Sequence, residues 1–170
     1  MNRLSKQKIK QKTKEGIKMT NIQATLPQIS GTYKVVQVTI DDTLHVGFAL
    51  EKEMGHASIL TKILENNGYC TRRDDGRLYL SSLDSFVPAE EQERKVYELV
   101  ADKSAEGALW STKIPALSGD GYRVLGMGKA EVDAAQKMVH FYGTSMSYKI
   151  GLDKNSIGQL EEIMGEWKLS

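Results

Sequence analysis

The run Tyr33-Lys34-Val35-Val36-Gln37-Val38-Thr39-Ile40 constrains the fold most: it is dense in β-branched residues, alternates in polarity, and stops at Asp41-Asp42. It reads as a strand. His45–Leu50 is a candidate for the next strand, and Arg77–Ser81 reads as a shorter one. Two more strands follow far along the chain, Tyr122–Val132 and Lys137–Tyr142, with Asp133-Ala134-Ala135-Gln136 at their turn. Between these the period changes. In Gly55–Leu64 the apolar residues Ile59, Leu60, Ile63 and Leu64 fall at helical spacing, with Gly68 just past the end, which places His56 at a helix N-terminus. Pro88 followed by Ala89–Ala101 reads as a second helix, with Glu90, Glu91 and Glu93 suiting the positive end of its dipole. Ser104–Asp120 reads as a loop-rich connection. Ser156–Trp167 reads as a last helix, with a capping box from Ser156 and Gln159 and an apolar stripe of Leu160, Ile163, Met164 and Trp167. Strands and helices mix without a βαβ alternation or an internal repeat. The pattern predicts an α+β single domain, a mixed β-sheet flanked by helices.

A chain of 170 residues, 40% apolar and 26% charged, has material for one sizeable core. No stretch nears the roughly 18 consecutive apolar residues of a membrane span, and the N-terminus lacks the core of a signal peptide. The expectation is a cytoplasmic protein with no membrane partner. Cys70, the single cysteine, has no internal disulfide partner and reads as inert. Charge is unevenly placed: residues 1–18 hold seven of the 23 Lys/Arg against Glu15 alone, leaving 16 basic and 21 acidic residues in the remainder. This arm has neither aromatics for base stacking nor an apolar face for a bilayer, so nucleic acid is not the expected partner and a basic disordered tail is. Lys14-Glu15-Gly16-Ile17-Lys18-Met19 is also what a purine-rich ribosome-binding site would encode in frame, so Met19 is a candidate for the true start and 19–170 for the domain proper.

Few residues stand out for chemistry. His45, His56 and His140 show no ligand spacing, and no metal or other cofactor is expected. Gly126-Met127-Gly128-Lys129 looks like a fragment of a nucleotide loop but lacks the GxxxxGK[ST] spacing and lies in a strand. His56 has a more specific setting, because a helix N-terminus disfavours the imidazolium and leaves a neutral ring able to accept a proton or attack phosphorus. The alternative is a capping or surface histidine. Gly143-Thr144-Ser145-Met146-Ser147-Tyr148 leaves a strand with a permissive glycine and hydroxyl residues whose N–H groups can converge on an anion; the alternative is an ordinary polar turn. Met146 and Tyr148 read as packing residues. Lys34 and Lys129 lie within strands and would supply positive charge if both face that loop; otherwise they solubilise a strand.

Together these residues resemble the Janus/Ocnus family, to which phosphohistidine phosphatases belong. Leu125–Tyr148, LGMGKAEVDAAQKMVHFYGTSMSY, follows a family pattern of LGGGRI, a polar turn and IHVYGYSMAYG without a gap in either half. His56-Ala57-Ser58-Ile59 resembles the family's HADI motif, and Tyr33-Lys34-Val35-Val36 its first strand. The resemblance implies a phosphohistidine phosphatase-like fold in which His56 is the catalytic base or nucleophile. Lys34, Lys129 and the backbone of Ser145, Met146 and Ser147 would hold phosphate. Lys129 stands in place of an arginine, Gly55 and Thr144 in place of aromatic residues, and Lys149 in place of a glycine. Leu50–Glu53 matches poorly, and 69–120 has the character of a long insertion, a lid or a partner surface.

The implied function is a metal-independent hydrolase acting on a phosphoramidate, phosphohistidine or phospholysine, carried by a phosphorylated protein or a small phospho-ligand. The alternative is a module that binds or sequesters a phospho-ligand in the same pocket without turnover.

Overall fold

Alternating, β-branched stretches pair into one curled mixed sheet, and the two helices among the described residues cover its faces. The computed structural model describes residues 12–13, 16–17, 21–72, 78–80, 97–105, 108–119 and 121–170, with side chains described for 21–71, 115–119 and 121–170. In chain order the elements are β1 (Lys12–Thr13), β2 (Gly16–Ile17), β3 (Asn21–Ala24), β4 (Gly31–Ile40), β5 (Thr43–Leu50), α1 (His56–Asn66), β6 (Cys70–Arg72) and β7 (Leu78–Leu80). Then come β8 (Tyr97–Ala105), β9 (Ala108–Pro115), β10 (Ser118–Gly119), β11 (Tyr122–Asp133), β12 (Met138–Tyr142), β13 (Thr144–Ser145), β14 (Ile150–Gly151), α2 (Lys154–Ile163) and β15 (Lys168–Leu169).

The main sheet runs β15-β12-β11-β4-β5-β3, with β10 folded against β11. Its centre is antiparallel, while β3 on β5 and β15 on β12 add a parallel strand at each side. The fold is α+β in a single domain, as the pattern predicts.

Strand alternation divides the core in two. Val36, Val38, Ile40 and Met127 face α1 and meet Ile59, Leu60 and Leu64. Tyr33, Val35, Ala130, Val132, Val139 and Phe141 face the other way and meet Leu160 of α2. Cys70 is buried in the α1-side cluster. Helix α1 lies close on β5 because Gly47 has no side chain; a Cβ there would sit 2.9 Å from both Ile59 and Ile63.

The Gly126-Met127-Gly128 run owes its glycines to the opposite face. A Cβ on Gly126 would lie 2.5 Å from the Asp153 nitrogen and 2.7 Å from the Gly151 carbonyl oxygen, and one on Gly128 would lie 2.6 Å from Leu152. The chain at 151–153 is thus pressed onto bare strand. The buried Gln37 amide fastens it there, donating to the Asp153 carbonyl at 2.9 Å and accepting from the Asp153 N–H at 2.7 Å. That pair of bonds does for Asp153 what a neighbouring strand would otherwise do.

Three local expectations change. Helix α2 starts earlier than Ser156, because Asp153 is the N-cap and its carboxylate accepts from the Ser156 N–H at 2.9 Å and from its hydroxyl at 2.5 Å. The same helix stops at Ile163, which is exposed, and Trp167 follows in a turn closed by its own N–H on the Met164 carbonyl. Residues 97–101 are strand, not helix: β8 pairs with β9 from Tyr97↔Pro115 to Ala105↔Ala108, so the expected loop at 104–120 is largely the second strand of a hairpin. The β-strand here is set by pairing with Ala108–Pro115, a tertiary contact that overrides helix propensity. The rest of the predicted 88–101 helix lies outside the described residues. Strands β3, β6 and β15 are short and lack a turn signal on both sides, so nothing local in the sequence marks them.

Replacing Gly126 by alanine should cost about 1–3 kcal/mol by overpacking against a fixed backbone. Gly158→Ala, in α2 with open space around it, should gain up to about 1 kcal/mol from helix propensity. Urea denaturation of the two variants against the parent protein reads both, and equal stabilities would contradict the close approach at Gly126.

Candidate functional site

Two lysines stand directly opposite each other on the central strands. Lys34 of β4 and Lys129 of β11 are register partners, so they share one face of the sheet, the face that α1 covers. Tyr142 of β12 is the next residue along the same rung. Neither β4 nor β11 is an edge strand, so the lysines do not serve to protect an open edge. Like charges directly opposite on adjacent strands are destabilising and call for a counter-charge. Glu51, just past β5, supplies one: its carboxylate lies 2.5 Å from the Lys129 ammonium. That hydrogen bond, and then Lys129's charge, hold Glu51 below the usual carboxylate range, while the same contact raises Lys129.

His56 is the first residue of α1 and is buried. Gly55 is its N-cap and contributes no side-chain bond. The His56 Nε2 lies 2.8 Å from the Gly128 carbonyl oxygen, one residue before Lys129. A carbonyl only accepts, so Nε2 carries the proton and, in the neutral ring, Nδ1 carries the lone pair. Burial is the main cause that lowers the His56 pKa. The bond to Gly128 opposes it, and the nearby charges of Lys34 and Lys129 add to the lowering. The result is a neutral, oriented imidazole within the field of two ammonium groups.

The chain leaves β12 at Gly143, whose φ of 79° is one that other residues adopt only at a cost, and passes beside Lys129: a Cβ on Gly143 would meet the Lys129 stem at 3.8 Å. Ser145 is buried, with its hydroxyl accepting from the Tyr148 N–H at 3.2 Å and its carbonyl from the Lys149 N–H at 2.7 Å. The Ser145 hydroxyl therefore closes the turn. Met146 and Ser147 form its exposed tip, and their backbone N–H groups have no hydrogen-bond partner among the described residues. Tyr148 packs in the α1-side core with its hydroxyl donating to the Pro115 carbonyl at 2.7 Å, which anchors the loop to the end of β9.

Met146 is not a packing residue; at 90% exposed it caps the turn from outside. A Ser-Met-Ser turn over a buried Ser145 has room for a side chain only on the solvent side. Lys34, His56 and Lys129 lie close together, with Gly143 at the start of the 143–148 loop beside Lys129. Glu51, Glu131 and Tyr142 were missed. Tyr142 donates to Glu131 at 3.3 Å, and Thr32 donates to the same carboxylate oxygen at 2.5 Å. The signal for Glu51 was available in principle, since two facing lysines require an acid. Finding it, however, needed the register.

No protein-family model matches the chain, and no curated protein matches it either. No helix among the described residues is long and apolar enough to cross a membrane, and no three His, Cys, Asp or Glu side chains among them group as metal ligands would. The arrangement offers two ammonium groups, a neutral histidine and free amides, a set suited to an anion with acid–base chemistry beside it.

The depressed histidines set a pH dependence. His56 and His45 both titrate below about 6.5 in the folded chain, each mainly through burial, so the unfolded chain binds protons first as pH falls. Their contribution to stability is complete above about pH 6.5 and is lost progressively as pH falls below it. The urea midpoint should fall as pH drops below about 6.5, and His56→Gln should flatten that fall. An unchanged slope in the variant would exclude His56 as a source.

Proposed function

We propose that the chain is a phosphohistidine phosphatase-like hydrolase of the Janus/Ocnus type, cleaving the N–P bond of a phosphoramidate. The observation that carries the reading is the direct pairing of Lys34 with Lys129 beside a histidine already fixed on the Gly128 carbonyl. Such a pairing is unfavourable for the sheet alone and favourable once a dianion binds across it.

The chemistry follows from the parts. The lysines and the Met146 and Ser147 amides take the phosphoryl oxygens and neutralise charge as the P–N bond loosens. His56 stays neutral at pH 7 for the physical reasons given, and its lone pair either takes a proton from the in-line water as that water attacks phosphorus, the leaving nitrogen being protonated in turn, or accepts the phosphoryl group, which a water then removes as phosphate. Charge neutralisation and positioning suffice for a labile bond. Lys129 in place of an arginine keeps the charge and gives up the bidentate fork.

One observation favours the second reading, binding without turnover: Glu51 already holds Lys129, so a phosphate must displace a carboxylate to reach it. Turnover separates the two.

His56→Ala should lower phosphate release from a phosphohistidine peptide by about 10²–10⁴-fold, with binding of inorganic phosphate by calorimetry nearly unchanged. Lys34→Ala should instead weaken phosphate binding. Full hydrolysis by His56→Ala would defeat the catalytic assignment; a parent protein that gains melting temperature with phosphate yet releases none would establish the binding module.

A further inference from the structure

The other end of α1 carries a feature that phosphoryl chemistry does not use. An open-sided cavity of about 410 Å³ lies between β3, β5 and the C-terminal turn of the helix. His45 of β5 lines it and is only 6% exposed, yet has no hydrogen-bond partner among the described residues. Its neighbours include Gln23 and Thr25 from β3 and its extension, and Ile63, Asn66 and Asn67 from α1. No charged side chain lines the cavity. Since α1 begins at His56 and ends at Asn66, this cavity and the lysine site are about 16 Å apart along the helix axis.

A buried polar group without a partner is costly, so such groups are ordinarily satisfied by protein, water or ligand. A single water occupies about 30 Å³, far less than this space, which falls within the range of small-molecule pockets. We propose that the His45 cavity is a second binding site, for a small uncharged ligand presenting a carboxamide or an equivalent donor–acceptor edge.

The chemistry of the walls selects that class. A neutral imidazole offers one N–H and one lone pair, the complement of a carboxamide's oxygen and NH₂. Burial with no compensating partner keeps His45 in its neutral form. Gln23 and Asn66 add donors and acceptors at the rim, and Asn67 keeps its side-chain oxygen available because its NH₂ donates to the Ile63 carbonyl at 2.8 Å. An ionic ligand would enter a pocket with no counter-charge and is disfavoured.

The test uses the full chain and the ring resonances of its three histidines, His45, His56 and His140, followed by NMR during titration with nicotinamide and, in parallel, nicotinate. Nicotinamide should shift His45 saturably in the millimolar range and leave His56 in place; nicotinate, the same size but anionic, should not shift His45. Gln23→Ala and Asn66→Ala, both at exposed positions, should each weaken the nicotinamide effect by about threefold or more. The proposal falls if neither nicotinamide nor acetamide moves His45 saturably, if nicotinate moves it equally, or if both rim variants bind like the parent protein.

Discussion

The Gln37 amide is the contact on which the arrangement of the rest turns. It is buried at the centre of the sheet, where an unpaired carboxamide would cost about 1–3 kcal/mol, and it is paired at both ends with the backbone of Asp153. Because Gly126 and Gly128 are bare, that backbone lies against the strand itself. Fixing Asp153 fixes the cap of α2 on one side and, through β14 and its pairing with β13, the loop from Gly143 to Tyr148 on the other. The exposed tip of that loop makes no hydrogen bonds of its own among the described residues, so its position is held from its two ends. Gln37 and the two glycines provide that hold from the face opposite the lysines.

On the α1 face, electrostatics and not packing sets the character of the site. Of the two charges on the lysine–lysine rung, Glu51 answers that of Lys129. Both members of that ion pair are roughly one-third exposed, so it contributes little to stability and exchanges readily. On the proposed function, Glu51 is the counter-ion that a phosphoryl group would displace. A phosphoryl group carries more charge and more acceptor oxygens than a carboxylate, and the same two ammonium groups would favour it.

The strands β4, β5, β11 and β12 and the start of α1 were legible because each combines a clear period with a clear stop: Asp41-Asp42 after β4, Gly68 after α1, the Asp133–Gln136 turn after β11. The hairpin of β8 and β9 was not, because Glu90, Glu91 and Glu93 behind Pro88 resemble a helix start, and nothing local announces that the residues from Tyr97 onward will pair with Ala108–Pro115. Asp153 as the cap of α2 was hidden for a related reason. Ser156 and Gln159 have capping-box spacing, and only the long-range clamp from Gln37 shows where the helix begins. Within the candidate site, the residues on one motif each, Lys34, His56, Lys129 and Ser145, could be named from sequence. Those that matter through register, Glu51 and Tyr142, could not, because a one-residue slip in β4 against β11 would have turned the lysines to opposite faces.

The two depressed histidines show why burial alone does not identify a working residue. His45 and His56 lie on the same face, along the same helix, and shift in the same direction. For His56 the surroundings account for the ring: the Gly128 carbonyl accepts a hydrogen bond from its Nε2–H, and two lysines oppose its charge. For His45 only desolvation acts, and neither a donor nor an acceptor among the described residues meets it. A fold that satisfies the polar Gln37, Ser145 and Ser156 in its interior leaves one buried imidazole unanswered beside an open cavity. The missing partner therefore lies outside the described residues, at the end of α1 farthest from the lysines.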